Sequence, residues 1–262
     1  NIDGFNYSEK KIELKDRAEI DKWIISELNS LISFVDDKYN SYDPTPASRA
    51  ISDFVQEKLS NWYVRLSRRR FWKGEYNQDK ISAYQTLFEC ILNVAKLSCP
   101  ICPFYSDFLY ICLTENTKYE SLESIHLSSF PEKIDSNIDT NLENRINKIR
   151  NICSLALSIR KKEGIKVRQP LTKILIPIST KKEMSEIDNS REQILSEINV
   201  KNIEYLDSAN SLLVKELKPN FKTLGPRFGN KLNEIVKEIN LLNVEKFNKG
   251  QEVEIIVDKE KI

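Results

Sequence analysis

One histidine, one methionine and six scattered glycines in 262 residues exclude several kinds of chemistry. Imidazole-based acid–base or nucleophilic catalysis would have to use His126, and the sequence places no partner carboxylate or nucleophile beside it. A strand-edge histidine is the simpler reading. The glycines stand singly, so there is no glycine-rich phosphate loop. Five cysteines, an odd number between Cys90 and Cys153, do not form a disulfide framework. Cys99 and Cys102 have zinc-knuckle spacing, but a structural zinc needs four ligands, and Cys90, Cys112 and His126 are not at paired spacing. Packing between Pro100 and Pro103 explains them better, and no metal is expected. No apolar run reaches the roughly 20 residues of a membrane span. Nothing at the start indicates secretion, so a reducing cytoplasm is the expected setting. Net charge is also lacking: 40 cations nearly cancel 39 acids, leaving +1, so only local patches can argue for a polyanionic partner. Asn1 opens the chain and the sole methionine is Met184, which leads us to expect a piece of a longer protein.

The 40% of apolar residues suffices for a large core. Residues 1–15 are polar and irregular and read as a connector from an upstream domain. Ile20, Trp23, Ile24, Leu28, Leu31, Ile32 and Val35 recur at helical spacing, predicting a helix over 17–39. A second helix is predicted from Pro46 to about Lys73, with Thr45 as its N-cap. A third starts after Asn77, and a fourth is started by Pro100 and Pro103 and ends near Asn116. An extended piece, 125–130, precedes a fifth helix, capped by Asp139 or Thr140 and closed by Gly164. Short connections imply an antiparallel bundle. After Pro170 the pattern changes. Strands are expected at 173–178, 203–206, 212–217 and 252–257, and helices at 191–198 and 229–240, a small α/β unit. The expected organisation is a connector at 1–15, a helical bundle at 16–135, and a C-terminal helix plus small α/β domain at 136–262.

Residues 61–73 carry Trp62, Tyr63 and Trp72 among five cations and no acid. At 100° per residue, Ile51, Phe54, Val55, Leu59, Trp62 and Leu66 form one face. On that phase Arg69 falls about 40° from the centre of the face, Arg70 about 60° off it, and Arg68 points away. Arg68 is then free for phosphate, whereas Arg69 faces the bundle and needs a buried partner. An ordinary amphipathic helix with a solvated basic end would look the same. Lys161, Lys162, Lys166 and Arg168 surround Gly164 at a helix C-terminus, where the helix dipole by itself favours cations.

Asn61-Trp62-Tyr63-Val64-Arg65 followed by Arg68-Arg69-Arg70 resembles the anticodon-binding helix of class I isoleucyl-tRNA synthetases, in their eukaryote-like subgroup. Asp21-Lys22-Trp23-Ile24-Ile25-Ser26 is similar to that family's "DRWIL" helix start, and Ser124-Ile125-His126-Leu127 through Phe130-Pro131 to its "SVHL…WP" segment. Cys99-Pro100-Ile101-Cys102-Pro103-Phe104 matches a proline-bracketed turn after a leucine-rich helix. Ile159-Arg160-Lys161-Lys162 through Gln169-Pro170-Leu171 resembles "R…IPIKYPLKE". Valyl, leucyl and methionyl relatives share the layout but not the Trp-Tyr-Val-Arg run.

The resemblance implies a mostly α fold of the class I synthetase anticodon-binding type, an antiparallel helical bundle followed by a small α/β domain. It implies binding of the tRNA(Ile) anticodon stem-loop, within an ATP-dependent isoleucine–tRNA ligase whose catalytic domain lies upstream. The adenylate signatures His-Ile-Gly-His and Lys-Met-Ser-Lys-Ser are absent, and Lys182-Glu183-Met184-Ser185 is not the latter. No catalytic residue and no cofactor are therefore expected here, with ATP, and zinc as a further possibility, belonging to the parent. The expected tRNA-binding residues are Arg65, Arg68, Arg70, Trp72 and Lys73, joined by Lys222, Arg227 and Lys231. The last three accompany Leu224-Gly225-Pro226-Arg227-Phe228-Gly229-Asn230-Lys231, which resembles "LGKRLKG". There free N–H groups at a helix start would attract phosphate, although a plain connecting turn, with Gly225 and Gly229 present for backbone geometry, is the simpler reading. A monomer with no membrane association is expected. The anticodon domain of a valyl or leucyl enzyme, and a protein-interaction bundle without RNA, stay open as alternatives.

Overall fold

A computed structural model of the chain separates into two compact units, Asn1–Val167 and Arg168–Ile262. It describes residues 3–7, 9, 11–72, 75–119, 122–178, 180–207, 235–236, 256–257 and 260–261.

Helix α1, Glu19–Asn40, is the axis of the first unit. A surface helix buries one stripe, but every residue of α1 from Trp23 to Asn29 is buried, because neighbours enclose it. These are α2 (Pro44–Asp53), a π-helical segment (Phe54–Val64), α4 (Gln78–Ser98) and α6 (Thr140–Lys162). The start of α2 behaves as its prolines dictate. Pro44 occupies the first turn of α2, and Asp43 stands at the N-cap without a side-chain bond, so Thr45 is inside the helix rather than capping it. Asn77 does cap α4, its side chain accepting from the Lys80 N–H at 3.0 Å, and Asp139 caps α6 through the Leu142 N–H at 3.0 Å. Helix α5, Pro103–Thr117, follows the proline-bracketed turn and packs against α4.

Enclosing α1 buries polar side chains that must then find partners. Glu27 receives the Lys58 ammonium and the Trp23 indole N–H, Asn29 Oδ1 accepts from the Ile134 N–H at 2.8 Å, and Ser26 pairs with Glu143. The Trp23 bond lies within α1; the contacts of Lys58, Ile134 and Glu143 each tie another part of the chain to it.

The second helix expected from the sequence is not continuous. The i→i+5 segment Phe54–Val64 has a wider turn than an α-helix. Trp62 and Tyr63, adjacent in sequence, are both buried by it, with Trp62 beside Arg150 of α6 and Tyr63 beside Asp21 of α1. Ser67 then makes a turn, its N–H donating to the Tyr63 carbonyl at 2.9 Å, before the five-residue helix α3, Arg68–Trp72.

Two further expectations change. The extended piece expected at 125–130 begins with a 3-10 turn, Ile125–Leu127, and returns to an extended backbone at Ser128. The N-terminal segment is no free connector. Phe5 and Ile12 are buried, the Tyr7 N–H donates to the Thr117 carbonyl at 2.9 Å, and the Ile12 N–H donates to Gln85 at 2.9 Å. Phe5 joins Phe88, Leu92, Ala95, Tyr110 and Ile125 in an apolar cluster between α4 and α5. Helix α6 also belongs with the bundle, since it packs on α1, so the compact units part after it and not at residue 135.

In the second unit, β1 (Leu171–Ile178) and β2 (Val200–Asp207) pair in parallel, from Leu171 opposite Val200 to Ile178 opposite Asp207. Parallel strands need a crossover. Here it consists of α7 (Lys181–Asp188), which the sequence reading missed, and α8 (Arg191–Ile198). Ile176, Ile187, Ile194, Ile198, Ile203 and Ile235 are the buried apolar side chains among the described residues of this unit. The expected strand 212–217 and most of helix 229–240 and strand 252–257 lie outside the described residues. Within them, 235–236 are helical, and Ile256–Val257 pairs antiparallel with Glu260–Lys261.

Asp21 closes the bundle at the α3 end. Its side chain is fully buried and takes a bidentate pair from Arg70, with both nitrogens at 2.8 Å, and a 2.8 Å bond from the Tyr63 hydroxyl. Arg70 also reaches the Asp79 carboxylate. Burial works against the Arg70 charge, but the hydrogen bonds to Asp21 and Asp79 outweigh it and hold the guanidinium pKa above its ordinary value. Arg69, expected to face inward, is exposed. The 100° phase fails across the π-helical segment and the Ser67 turn, and Arg70 takes the inward position.

Arg70→Ala therefore leaves a buried carboxylate without its cation and is expected to cost about 3–5 kcal/mol, against less than about 0.5 kcal/mol for Arg69→Ala. Urea denaturation of the two variants checks this, and equal losses would contradict the assignment.

Burial, then the neighbouring Asp21 charge, pushes the Tyr63 phenol well above its ordinary 10.0. A raised folded-state pKa means that its contribution is intact below the unfolded value and is lost as pH rises past it. Denaturation midpoints should thus fall steeply above about pH 10, and less steeply in Tyr63→Phe.

Candidate nucleic-acid interface

The Asp21 network has a second effect: it sorts the cations of the basic run. Arg70 is consumed in it, with its side chain only 16% exposed. Of the expected contact residues, Arg70 is therefore a clamp within the bundle and does not offer its donors to a ligand. Arg68 and Arg69 are exposed and make no hydrogen bond or ion pair among the described residues. Trp72 is 72% exposed, an unusual position for an indole. Arg68 and Trp72 are four apart on one short helix and so share a side of it. One turn, Arg65–Trp72, thus presents three arginines and an aromatic face outward. Lys73, Lys222, Arg227 and Lys231 lie outside the described residues.

Arg65 is exposed and rests its guanidinium carbon 5.9 Å from the centre of the Trp62 ring. Arg150 of α6 lies 6.0 Å from the same ring. Sequence reasoning missed Arg150, since nothing local to α6 marks it; only the packing of α6 beside the π-helical segment brings it there. Its Nη2 donates to the Glu57 carbonyl at 2.9 Å, so it is held in place while supporting the ring. Two cations on one indole are favourable through the ring quadrupole, and they orient Arg65 relative to the exposed α3 turn.

The remaining candidates do not join this surface. His126 sits on the 3-10 turn, with Nδ1 3.2 Å from Cys99 Sγ. Burial, followed by the Asp107 charge, raises the Cys99 thiol pKa, so its neutral form is favoured. Cys102 Sγ contacts the Ser98 carbonyl at 3.4 Å. Among the described residues no three His, Cys, Asp or Glu side chains are grouped to hold a metal ion. Near Gly164, which has the left-handed φ of +66°, Arg160 turns inward to the Lys166 carbonyl, and Lys161 and Lys162 are exposed. No helix among the described residues is long and apolar enough to cross a membrane.

The profile of the family described as the anticodon-binding domain of tRNA ligase matches residues 21–176. The chain belongs to that family. The match begins at Asp21, the clamp residue itself, and runs through the bundle into β1. The chain is 48% identical over 239 residues to an isoleucine–tRNA ligase of Bacteroides thetaiotaomicron, covering 91% of this chain and 21% of that protein. It is 48% identical over 245 residues to the Cytophaga hutchinsonii ligase of that name, covering 94% and 22%. Against the Thermus thermophilus isoleucine–tRNA ligase it is 37% identical over 213 residues, covering 81% and 20%. The chain thus spans about a fifth of the length of these relatives.

Trp62 is buried at 5% exposure, with Arg65 and Arg150 against it. Trp62→Ala is expected to cost about 3–5 kcal/mol, as for other large buried aromatics. Unchanged thermal melting with lost RNA binding would instead place the ring in the interface.

Proposed function

We propose that this chain is the tRNA-binding part of an isoleucine–tRNA ligase and that the Arg65–Trp72 turn meets the anticodon stem-loop of tRNA(Ile). One observation carries the placement: Arg68 and Arg69 stand outward and unpaired among the described residues beside an exposed Trp72, while Arg70 alone is locked inward. Arginine forks match phosphate oxygens bidentately, and an exposed indole offers a stacking face to a splayed base. Phosphate contacts supply affinity and register, and base contacts supply the choice of tRNA. The family match and the similarity to isoleucine–tRNA ligases support this reading. On it, the parent charges tRNA(Ile) with isoleucine at the expense of ATP, in a catalytic domain elsewhere in the same chain. Binding here would orient the tRNA so that its acceptor end reaches that domain. Lys73, Lys222, Arg227 and Lys231 are proposed as further phosphate contacts. A cytoplasmic monomer that folds without metal or cofactor completes the proposal.

Counterion release makes the test quantitative. Arg68→Ala should weaken all tRNAs about equally and reduce the slope of log affinity against log salt by roughly one. Trp72→Ala should weaken binding with the slope preserved. A slope unchanged in Arg68→Ala removes that residue from the interface, and the absence of any salt dependence in the unmodified chain favours a protein-interaction bundle. Purified tRNA(Ile) should bind more tightly than tRNA(Val).

Chelation should leave helicity and melting unchanged. Stoichiometric zinc, with loss of helicity on its removal, would overturn the metal-free reading.

A further inference from the structure

Helix α3 is five residues long, too short to hold its shape alone, since helix nucleation is costly and few bonds reward it. Two of its side chains anchor it. Arg70 reaches Asp21 and Asp79, and the Phe71 ring packs against Tyr63, with centres 6.4 Å apart, and against Tyr84 on α4, with centres 5.4 Å apart. The Tyr84 hydroxyl also lies 3.5 Å from the Phe71 carbonyl. Tyr84 is in turn held by the N-terminal segment. Its hydroxyl donates to Asp3 Oδ2 at 2.6 Å, and Phe5 stacks on its ring with centres 5.3 Å apart. Asp3 pairs with Lys80 of α4 at 2.8 Å, and the Tyr76 hydroxyl, between α3 and α4, donates to Glu9. A continuous chain of contacts therefore runs from residues 3–12 through Tyr84 and Phe71 to the turn that carries Arg68, Arg69 and Trp72.

We propose that Tyr84 is a positioning residue for the basic turn, coupling the seating of the N-terminal strap, residues 3–12, to the order of α3. The strap is suited to reversible seating. Its outer contacts differ: the Tyr76 hydroxyl with Glu9 is a partly exposed pair of the kind that holds weakly, whereas Asp3 closes over the buried Lys80 side chain, 6% exposed, and is the firmer hold. Its inner contacts are Phe5 in the apolar cluster and the backbone bonds of Tyr7 and Ile12. When the strap is seated, Tyr84 is pinned between Phe5 and Phe71, and α3 is braced on both sides. When it lifts, α3 keeps Arg70 on Asp21 and the Phe71 ring edge-on to Tyr63, 6.4 Å between centres, but loses the brace behind Tyr84, and its outward side chains are held less firmly for a ligand. Coupling of this kind is reciprocal, so a ligand that orders the turn also secures the strap. The RNA side of the coupling rests on the function proposed above; the link between strap and turn does not.

Trp72 supplies a probe. It is 72% exposed, whereas Trp23 and Trp62 are 0% and 5% exposed, so acrylamide quenching reports chiefly on Trp72. The α3 amides give a second readout, as the Arg70 and Phe71 N–H groups both donate to the Ser67 carbonyl. In Tyr84→Ala, amide exchange of residues 68–72 should speed up, Trp72 quenching should change, and tRNA affinity should fall about fivefold to tenfold. The salt slope should stay as it is, because the same phosphates are met once the turn is ordered. Phe5→Ala should act in the same direction, and Tyr84→Phe, which keeps the ring stack, should restore most of the affinity. Adding tRNA to the unmodified chain should slow exchange of the Tyr7 and Ile12 amides. If Tyr84→Ala does not fold, Phe5→Ala carries the test alone. Unchanged α3 exchange and Trp72 quenching in a folded variant overturns the proposal whatever the RNA result. Altered exchange and quenching in a chain that binds no tRNA would keep the coupling and sink the functional reading instead.

Discussion

A carboxylate with no access to solvent organises the α3 end of this bundle. Asp21 can stay charged inside only if hydrogen-bond donors converge on it, and three elements supply them: Arg70 from α3, Tyr63 from the π-helical segment and Ser82 from α4. Those elements are thereby held at one point of α1. A buried ion pair of this type specifies an arrangement more than it adds net stability, because desolvation offsets much of its attraction. Its effect here is to decide which of three consecutive arginines is structural. The other two are directed outward as a consequence.

The same logic recurs along α1. Glu27, Asn29 and Ser26 each reach a different neighbour, so a helix enclosed on all sides carries a row of polar contacts that fix partners in place. Apolar packing by Trp23, Ile24, Leu28 and Val35 provides the bulk of the core without direction. The polar row provides the register. Arg17, also buried, repeats the device in the extended stretch just before α1 by pairing with Glu89 and Thr86 of α4.

The π-helical segment connects this framework to the outer surface. By widening the turn it allows Trp62 and Tyr63 to be buried on different sides, one beside α6 and one beside α1. Arg65 leaves the segment braced on Trp62, and the Ser67 turn then resets the direction of the chain. The basic surface is thus assembled from a succession of helix types, with Trp62, Tyr63 and Arg70 held by neighbouring elements, and not from one regular amphipathic helix.

Much of the architecture was legible in the sequence because it depends on local chemistry. Apolar periodicity marked α1 and α4, Asn77 and Asp139 marked the caps of α4 and α6, and Pro103 and Gly164 marked a start and a stop. The resemblance of Trp62 through Arg70 to a known helix pointed to the family before any geometry was available. What periodicity could not convey was helical phase beyond Phe54, since a change from i→i+4 to i→i+5 bonding leaves no compositional mark and rotates everything after it. Arg69 and Arg70 accordingly exchanged roles, and Thr45 lost its cap to the proline before it. Arg150 beside Trp62 and Asp3 on Tyr84 join residues far apart in the chain, and so do the buried Phe5 and Ile12 of a segment that looked like a linker. The sequence by itself determined where the main helices of the bundle start and stop and which residue types could meet a polyanion. Only the tertiary structure decided which cations are free to do so, because that depends on where a buried carboxylate finds its partner.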